Sequence, residues 1–161
     1  MSRSNNRFAV FVAILLCCLI IYCIVTQVKE THSQNDPKLK EILKVIEPVF
    51  RKENYPSGRY SGSLESLNSR NILDETQFFK GDKSYTINKK KVYMCLKDDK
   101  GSYYPNNSLI YVFLHEMAHV ICDEIGHTEK FHDIFEELLE NAKYMKLYDP
   151  TIPMVQNYCS Y

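Results

Sequence analysis

The chain opens with one long apolar block, after which apolar residues recur at helix or strand spacing. Residues Phe8 to Val25 form an apolar run of 18 residues without a charge, which is long enough to cross a bilayer as a helix. The pattern predicts a short N-terminal tail over 1–7, a transmembrane signal-anchor helix over 8–26, a polar tether over 27–36 and a folded domain over 37–161.

A cleaved signal peptide would have the same basic start, which Arg3 and Arg7 supply in this chain. The apolar run is longer than that of an ordinary signal peptide and no A-x-A-like pair follows it, so an uncleaved anchor is favoured. The two arginines favour a cytoplasmic N-terminus, although Lys29, Lys38 and Lys40 weaken the charge asymmetry. We therefore expect a single-pass membrane protein that contacts the lipid bilayer through residues 8–26.

The folded domain is predicted to begin with an amphipathic helix. Pro37 suits the first helical position, Asn35 or Asp36 suits the N-cap, and the helix is predicted to end near Glu53. Residues 55–70 are rich in Ser, Gly and Tyr and predict a loop.

Two strands and two more helices follow. Residues 84–88 and 92–96 flank a lysine triplet and predict an antiparallel hairpin. A helix over 108–123, capped by Asn106 or Asn107, precedes Gly126, and Thr128 caps the last helix. Its core-facing stripe comprises Phe131, Ile134, Phe135, Leu138, Leu139, Ala142 and Met145. These elements predict an α+β fold with a small antiparallel sheet.

Charge and cysteine content narrow the possible partners and sites. Lys+Arg and Asp+Glu both number 20, so the zero net charge argues against nucleic acid as a partner. Three of the six cysteines lie beyond the anchor, at 95, 122 and 159, which allows at most one disulfide among them. Buried free thiols are the simplest interpretation, and the absence of a C-x-x-C pair disfavours a cysteine-based zinc site.

The sequence His115-Glu116-Met117-Ala118-His119 falls within the predicted helix over 108–123. Histidines four residues apart lie one helical turn apart, so both imidazoles can reach one ion. Glu116 lies beside His115 on nearly the same side, close enough to hydrogen-bond a metal-bound water. Residue frequencies alone give roughly 0.01 occurrences of this pattern in such a chain. Apolar residues supply packing surfaces around this helix: Val112, Leu114, Ala118, Ile121 and Ile125.

His127 is the favoured third ligand, because Gly126 lets the chain reverse and return an imidazole towards His115 and His119. Three protein ligands and one water form the open arrangement of a catalytic zinc. His132 is the competing histidine, and a carboxylate from Glu136, Glu137 or Glu140 is a further alternative.

This stretch, with Gly126-His127-Thr128-Glu129-Lys130-Phe131, resembles the active site of WLM and SprT-like zinc metallopeptidases, above all short membrane-anchored versions encoded by large DNA viruses. The resemblance covers about residues 84–148. It implies a zincin-like domain that binds Zn²⁺ through His115, His119 and His127, uses Glu116 as general base and hydrolyses a peptide or protein substrate. It also implies a viral protein located in a virion or host membrane.

Several roles stay open at this point. Strand 92–96 is expected to be the sheet edge that pairs with an extended peptide. Tyr148, Tyr158 and His132 are alternative donors to the oxyanion, and Asp123 is either a ligand-orienting group or a solvated residue. The alternative to an enzyme is a membrane structural or adaptor protein that retains an inactive, zinc-stapled zincin-like domain.

Overall fold

The structure, a computed structural model, describes residues 2–51 and 72–159, so the predicted loop over 55–70 lies outside the described residues. The chain divides into two compact units, Met1–Asn35 and Asp36–Tyr161. Each unit is described by itself.

The first unit is a single helix, α1 (Ser2–Gln34), which continues through the predicted N-terminal tail and most of the predicted tether. Its apolar stretch Phe8–Thr31 spans 24 residues, and none of the most apolar window is buried. A helix of this length and composition can cross a membrane, and a signal sequence has the same properties. The structure therefore contains one candidate membrane-spanning helix among the residues it describes.

The second unit begins with helix α2 (Pro37–Ile46) and a 3-10 turn (Glu47–Phe50). The prediction of Asp36 as N-cap is confirmed, since its carboxylate accepts hydrogen bonds from the backbone N–H groups of Lys38 and Leu39. The α-helix ends earlier than predicted because Pro48 has no backbone N–H to continue the helical hydrogen bonds, although Glu47 before it keeps α geometry.

A one-turn helix, α3 (Ile72–Glu75), leads into strands β1 (Gln77–Gly81), β2 (Tyr85–Ile87) and β3 (Lys91–Cys95). Their order is β1-β3-β2, with β1 parallel and β2 antiparallel to β3. The predicted hairpin is confirmed. The prediction of a purely antiparallel sheet is wrong, and so is the prediction that strand 92–96 forms an edge, because β3 is the central strand.

Helices α4 (Asn106–Ile121) and α5 (Glu129–Tyr144) complete the α+β unit. Thr128 caps α5 as predicted, with its hydroxyl accepting from the N–H of Phe131. Neither Asn106 nor Asn107 is the N-cap of α4, since both lie within its first turn. The side chain of Asn107 instead exchanges two hydrogen bonds with the backbone of Asp149, at 2.8 and 3.0 Å.

The core lies between the sheet and the helices, with fully buried residues from α2, β3, α4 and α5. Phe78 of β1 stacks on Phe113 of α4 with ring centroids 5.2 Å apart. A disulfide between Cys95 and Cys159 joins the end of β3 to the C-terminal tail, while Cys122 is a buried free thiol. The prediction of buried free thiols is therefore correct for Cys122 alone.

Candidate metal centre

Helix α4 places His115 and His119 one turn apart with their imidazoles half-buried. After α4 ends, Gly126 adopts a φ of +87°, a conformation that favours glycine. The chain thereby turns His127 back towards the helix. Nε2 of His127 lies 3.1 Å from Nε2 of His119 and 3.1 Å from Nε2 of His115.

These three histidines could hold one metal ion, since each offers a ligand atom within 4.8 Å of the others. Tetrahedral zinc with Zn–N bonds of about 2.05 Å separates its nitrogen ligands by about 3.3 Å, close to the two 3.1 Å separations in this cluster. His127 is exposed, which leaves its side of the cluster open to solvent or a substrate. The donor set therefore fits zinc with a fourth coordination position available.

Phe131, near the start of α5, packs against all three histidines of this cluster. Its ring is fully buried, and its centroid lies 5.0, 4.3 and 4.7 Å from those of His115, His119 and His127. Contact with all three imidazoles restricts their orientation before any ion binds. The sequence identified Phe131 as a core residue, but its contact with every candidate ligand required the structure.

The surroundings favour neutral imidazoles, which is the form that binds a metal. Burial lowers the pKa of His115 from 6.5 to about 4, with smaller contributions from the neighbouring His119, His127 and His132. Burial also lowers the pKa of His119, helped by His127 and by the ammonium group of Lys89.

Glu116 is a buried carboxylic acid on the same helix, only 5% exposed. Burial raises its pKa, and a hydrogen bond from Thr86 acts in the opposite direction. The hydroxyl of Thr86 on β2 lies 2.8 Å from Oε2 of Glu116 and 3.1 Å from its backbone oxygen. Thr86 has no motif around it that marks this role, because the contact joins residues 30 positions apart.

The other residues predicted as ligands or ligand-orienting groups lie outside the cluster of three histidines. The His132 ring centroid is 6.3 Å from that of His127, and His132 is not among the three clustered ligands. Glu140 pairs with Lys143 at 3.0 Å, and Asp123 pairs with Lys130 at 2.7 Å. Asp123 is thus a solvated, ion-paired residue.

The two candidate tyrosines are each packed against another part of the fold. The Tyr158 hydroxyl donates to the backbone oxygen of Cys95. The Tyr148 ring packs against Tyr111 with centroids 5.9 Å apart. The choice of an oxyanion donor therefore stays a prediction.

Comparison with known proteins finds viral relatives. The chain is 49% identical over 117 residues to uncharacterized protein 136R of Invertebrate iridescent virus 6, which covers 71% of this chain and 66% of that protein. It is 45% identical over 105 residues to uncharacterized protein 042R of Invertebrate iridescent virus 3, covering 65% and 66%. It is 30% identical over 114 residues to uncharacterized protein R325 of Acanthamoeba polyphaga mimivirus, covering 70% and 47%.

The chain thus spans just under two thirds of the length of the iridescent virus relatives it matches. The expectation of viral relatives is met, while their names state no activity. No model of a known protein family matches the chain. No solved structure matches it either.

Proposed function

We propose that this chain is a membrane-anchored, zinc-dependent metallopeptidase of the WLM/SprT-like zincin type, which hydrolyses peptide bonds in a peptide or protein substrate. The observation that carries the proposal is the convergence of three Nε2 atoms on one point, beside a buried glutamate from the same helix. A purely structural zinc site has no need of this glutamate.

Zinc, when bound, supplies a Lewis acid that polarises a carbonyl group and lowers the pKa of water. The side chains of this protein would hold the ion and move the proton. Glu116 accepts the proton of the attacking water and passes it to the leaving amine. Thr86 engages Oε2 of Glu116, and no described residue hydrogen-bonds to Oε1. We therefore assign the proton transfer to Oε1.

Strand β2 provides the place for an extended substrate. It is an edge strand that pairs with β3 on one side, and Thr86 on β2 contacts Glu116 directly. A peptide that adds to the outer side of β2 would therefore run beside the general base. The apolar stretch of α1 would anchor the enzyme in a bilayer, with a virion or host membrane as its setting.

The test uses full-length protein in detergent micelles, with zinc content and cleavage of a broad peptide library measured on the same sample. We expect one zinc per chain, which His115→Ala or His119→Ala removes. Glu116→Gln should retain zinc and lose hydrolysis. Glu136→Gln is the matched control, because Glu136 is exposed on α5 and should leave both quantities unchanged.

Each alternative gives a different result. Hydrolysis at the wild-type rate by Glu116→Gln would reject this residue as the base. A wild-type protein that binds zinc and cleaves neither peptides nor folded proteins would favour the structural or adaptor role. Failure of the wild-type protein to bind zinc would reject both the metallopeptidase and the zinc-stapled structural or adaptor protein.

A further inference from the structure

We propose that Lys89 is a positioning residue for the metal centre: from the tip of the β2–β3 hairpin, its ammonium group fixes the segment that carries His127. The inference rests on the proposed zinc site. It assigns a role to one member of the lysine triplet that joins the two predicted strands.

The backbone at Lys89 is unusual for a lysine. Asn88 and Lys89 have φ values of +49° and +55°, and the N–H of Lys90 donates to the oxygen of Ile87 at 3.1 Å. Two successive left-handed residues closed by this bond make a type I′ turn, in which the second position strongly favours glycine. A lysine there is strained, and strain of this kind points to a requirement for the side chain.

The Lys89 side chain extends from the hairpin to the residues that follow α4. Nζ of Lys89 donates to the backbone oxygen of Cys122 and, at 3.0 Å, to that of Glu124. Cys122 directly follows the last residue of α4 and Glu124 lies three residues beyond it, so neither carbonyl has a place in the helical hydrogen-bond ladder. One ammonium with three donors can satisfy both groups.

Between the buried Cys122 and Thr128, which caps α5, residues 123–126 are all exposed. Ile125, expected from the sequence to pack around α4, is instead 92% exposed. The Asp123–Lys130 ion pair is an exposed contact of small energetic value. The two bonds from Lys89 therefore fix the chain immediately before Gly126 and His127, and their loss should let His127 move away from the other two ligands.

A competing effect has the opposite sign. A lysine ammonium near a divalent cation repels it, so a Lys89 that acted through charge alone would weaken metal binding. The direction in which zinc affinity changes when Lys89 is replaced therefore distinguishes a positioning role from simple repulsion.

The experiment is a Zn²⁺ competition titration of full-length protein in detergent against a chromogenic chelator. Loss of a group that orients a ligand typically weakens metal affinity by roughly 10–100-fold, and we expect this loss for Lys89→Met. Lys90→Met is the matched control, since Lys90 is an exposed neighbour, and it should stay within about twofold of wild type. Lys89→Arg should recover most of the affinity because it retains charge and donors.

Lys89→Gly distinguishes an effect on zinc binding from an effect on folding, because glycine relieves the backbone strain of the turn while removing the ammonium group. We expect this variant to unfold at a higher temperature than Lys89→Met without zinc, yet to bind zinc equally weakly. Unchanged or tighter zinc binding by Lys89→Met, or wild-type affinity in Lys89→Gly, would overturn the inference and leave the proposed function intact. Failure of the wild-type protein to bind zinc would instead reject the proposed function.

Discussion

The disulfide between Cys95 and Cys159 should contribute a large part of the stability of the second unit. It closes a loop with a sequence separation of 64 residues, which contains α4, α5 and the three clustered histidines. A cross-link of this length stabilises a folded protein by about 4 kcal/mol in the chain-entropy account. We therefore expect Cys159→Ser to lower the free energy of unfolding by ~3–4 kcal/mol, and Tm by about 12–16 °C.

Local contacts of the tail limit the loss, because they do not require the sulfur atoms. The N–H of Cys159 donates to the Tyr104 hydroxyl at 3.1 Å, and the Tyr104 and Tyr158 rings lie 4.5 Å apart. These contacts favour the native tail position even in the variant, so the measured loss in the free energy of unfolding should not exceed the chain-entropy value of about 4 kcal/mol.

The assay is urea unfolding of full-length protein in detergent, followed by tyrosine near-UV circular dichroism, since the chain has 12 Tyr and no Trp. Dithiothreitol should lower the wild-type stability to that of Cys159→Ser and leave the variant unchanged. Thiol titration of the denatured proteins should give four free cysteines in the wild type and one more in the variant. Equal thiol counts, or a stability loss below about 1 kcal/mol, would refute the reasoning.

Two further predictions concern the site. Thr86→Val should retain zinc but lower the rate of hydrolysis by roughly tenfold or more, because Glu116 loses a hydrogen bond to its charged form. Thr86→Ser should restore the rate. A Thr86→Val variant with the wild-type kcat would contradict a role for this contact. For the zinc-free protein, the lowered pKa of His115, about 4, means that the unfolded chain binds the proton more readily. The free energy of unfolding should therefore fall as pH drops from 6.5 through 4, and thermal scans should show a shallower fall in His115→Gln.

The helices were largely predictable because their signals are local. Asp36 and Thr128 cap helices as short polar side chains do, and the apolar stripe of α5 follows the 3.6-residue period. The N-terminus of α4 was mispredicted because two asparagines suit a cap. In the structure Pro105 occupies that position, and Asn107 bonds to Asp149, a contact 42 positions away that no local pattern reveals.

The sheet was predicted only in part, since β1 lacks the alternation that marks a half-buried strand. Phe78 and Phe79 are consecutive and both buried, because Phe78 packs on α4 while Phe79 stacks on Tyr93 with centroids 4.9 Å apart. A strand that buries one side chain on each face, as β1 does, gives no period of two. The missed strand pairs with β3, which also explains why the expected sheet edge is in fact central.

The candidate metal ligands and the groups around them differ in how far the sequence reveals them. His115 and His119 are related by a helical turn, and His127 by a short reversal at Gly126, so all three can be proposed from spacing. Thr86 and Lys89 reach the site from a hairpin about 30 residues away, and their residue types are common in any hairpin. Thr86 contacts the proposed base while Lys89 contacts the segment that bears a ligand. Under the proposed function, one hairpin would contribute to proton transfer through Thr86 and to metal affinity through Lys89, and each contribution can be removed alone.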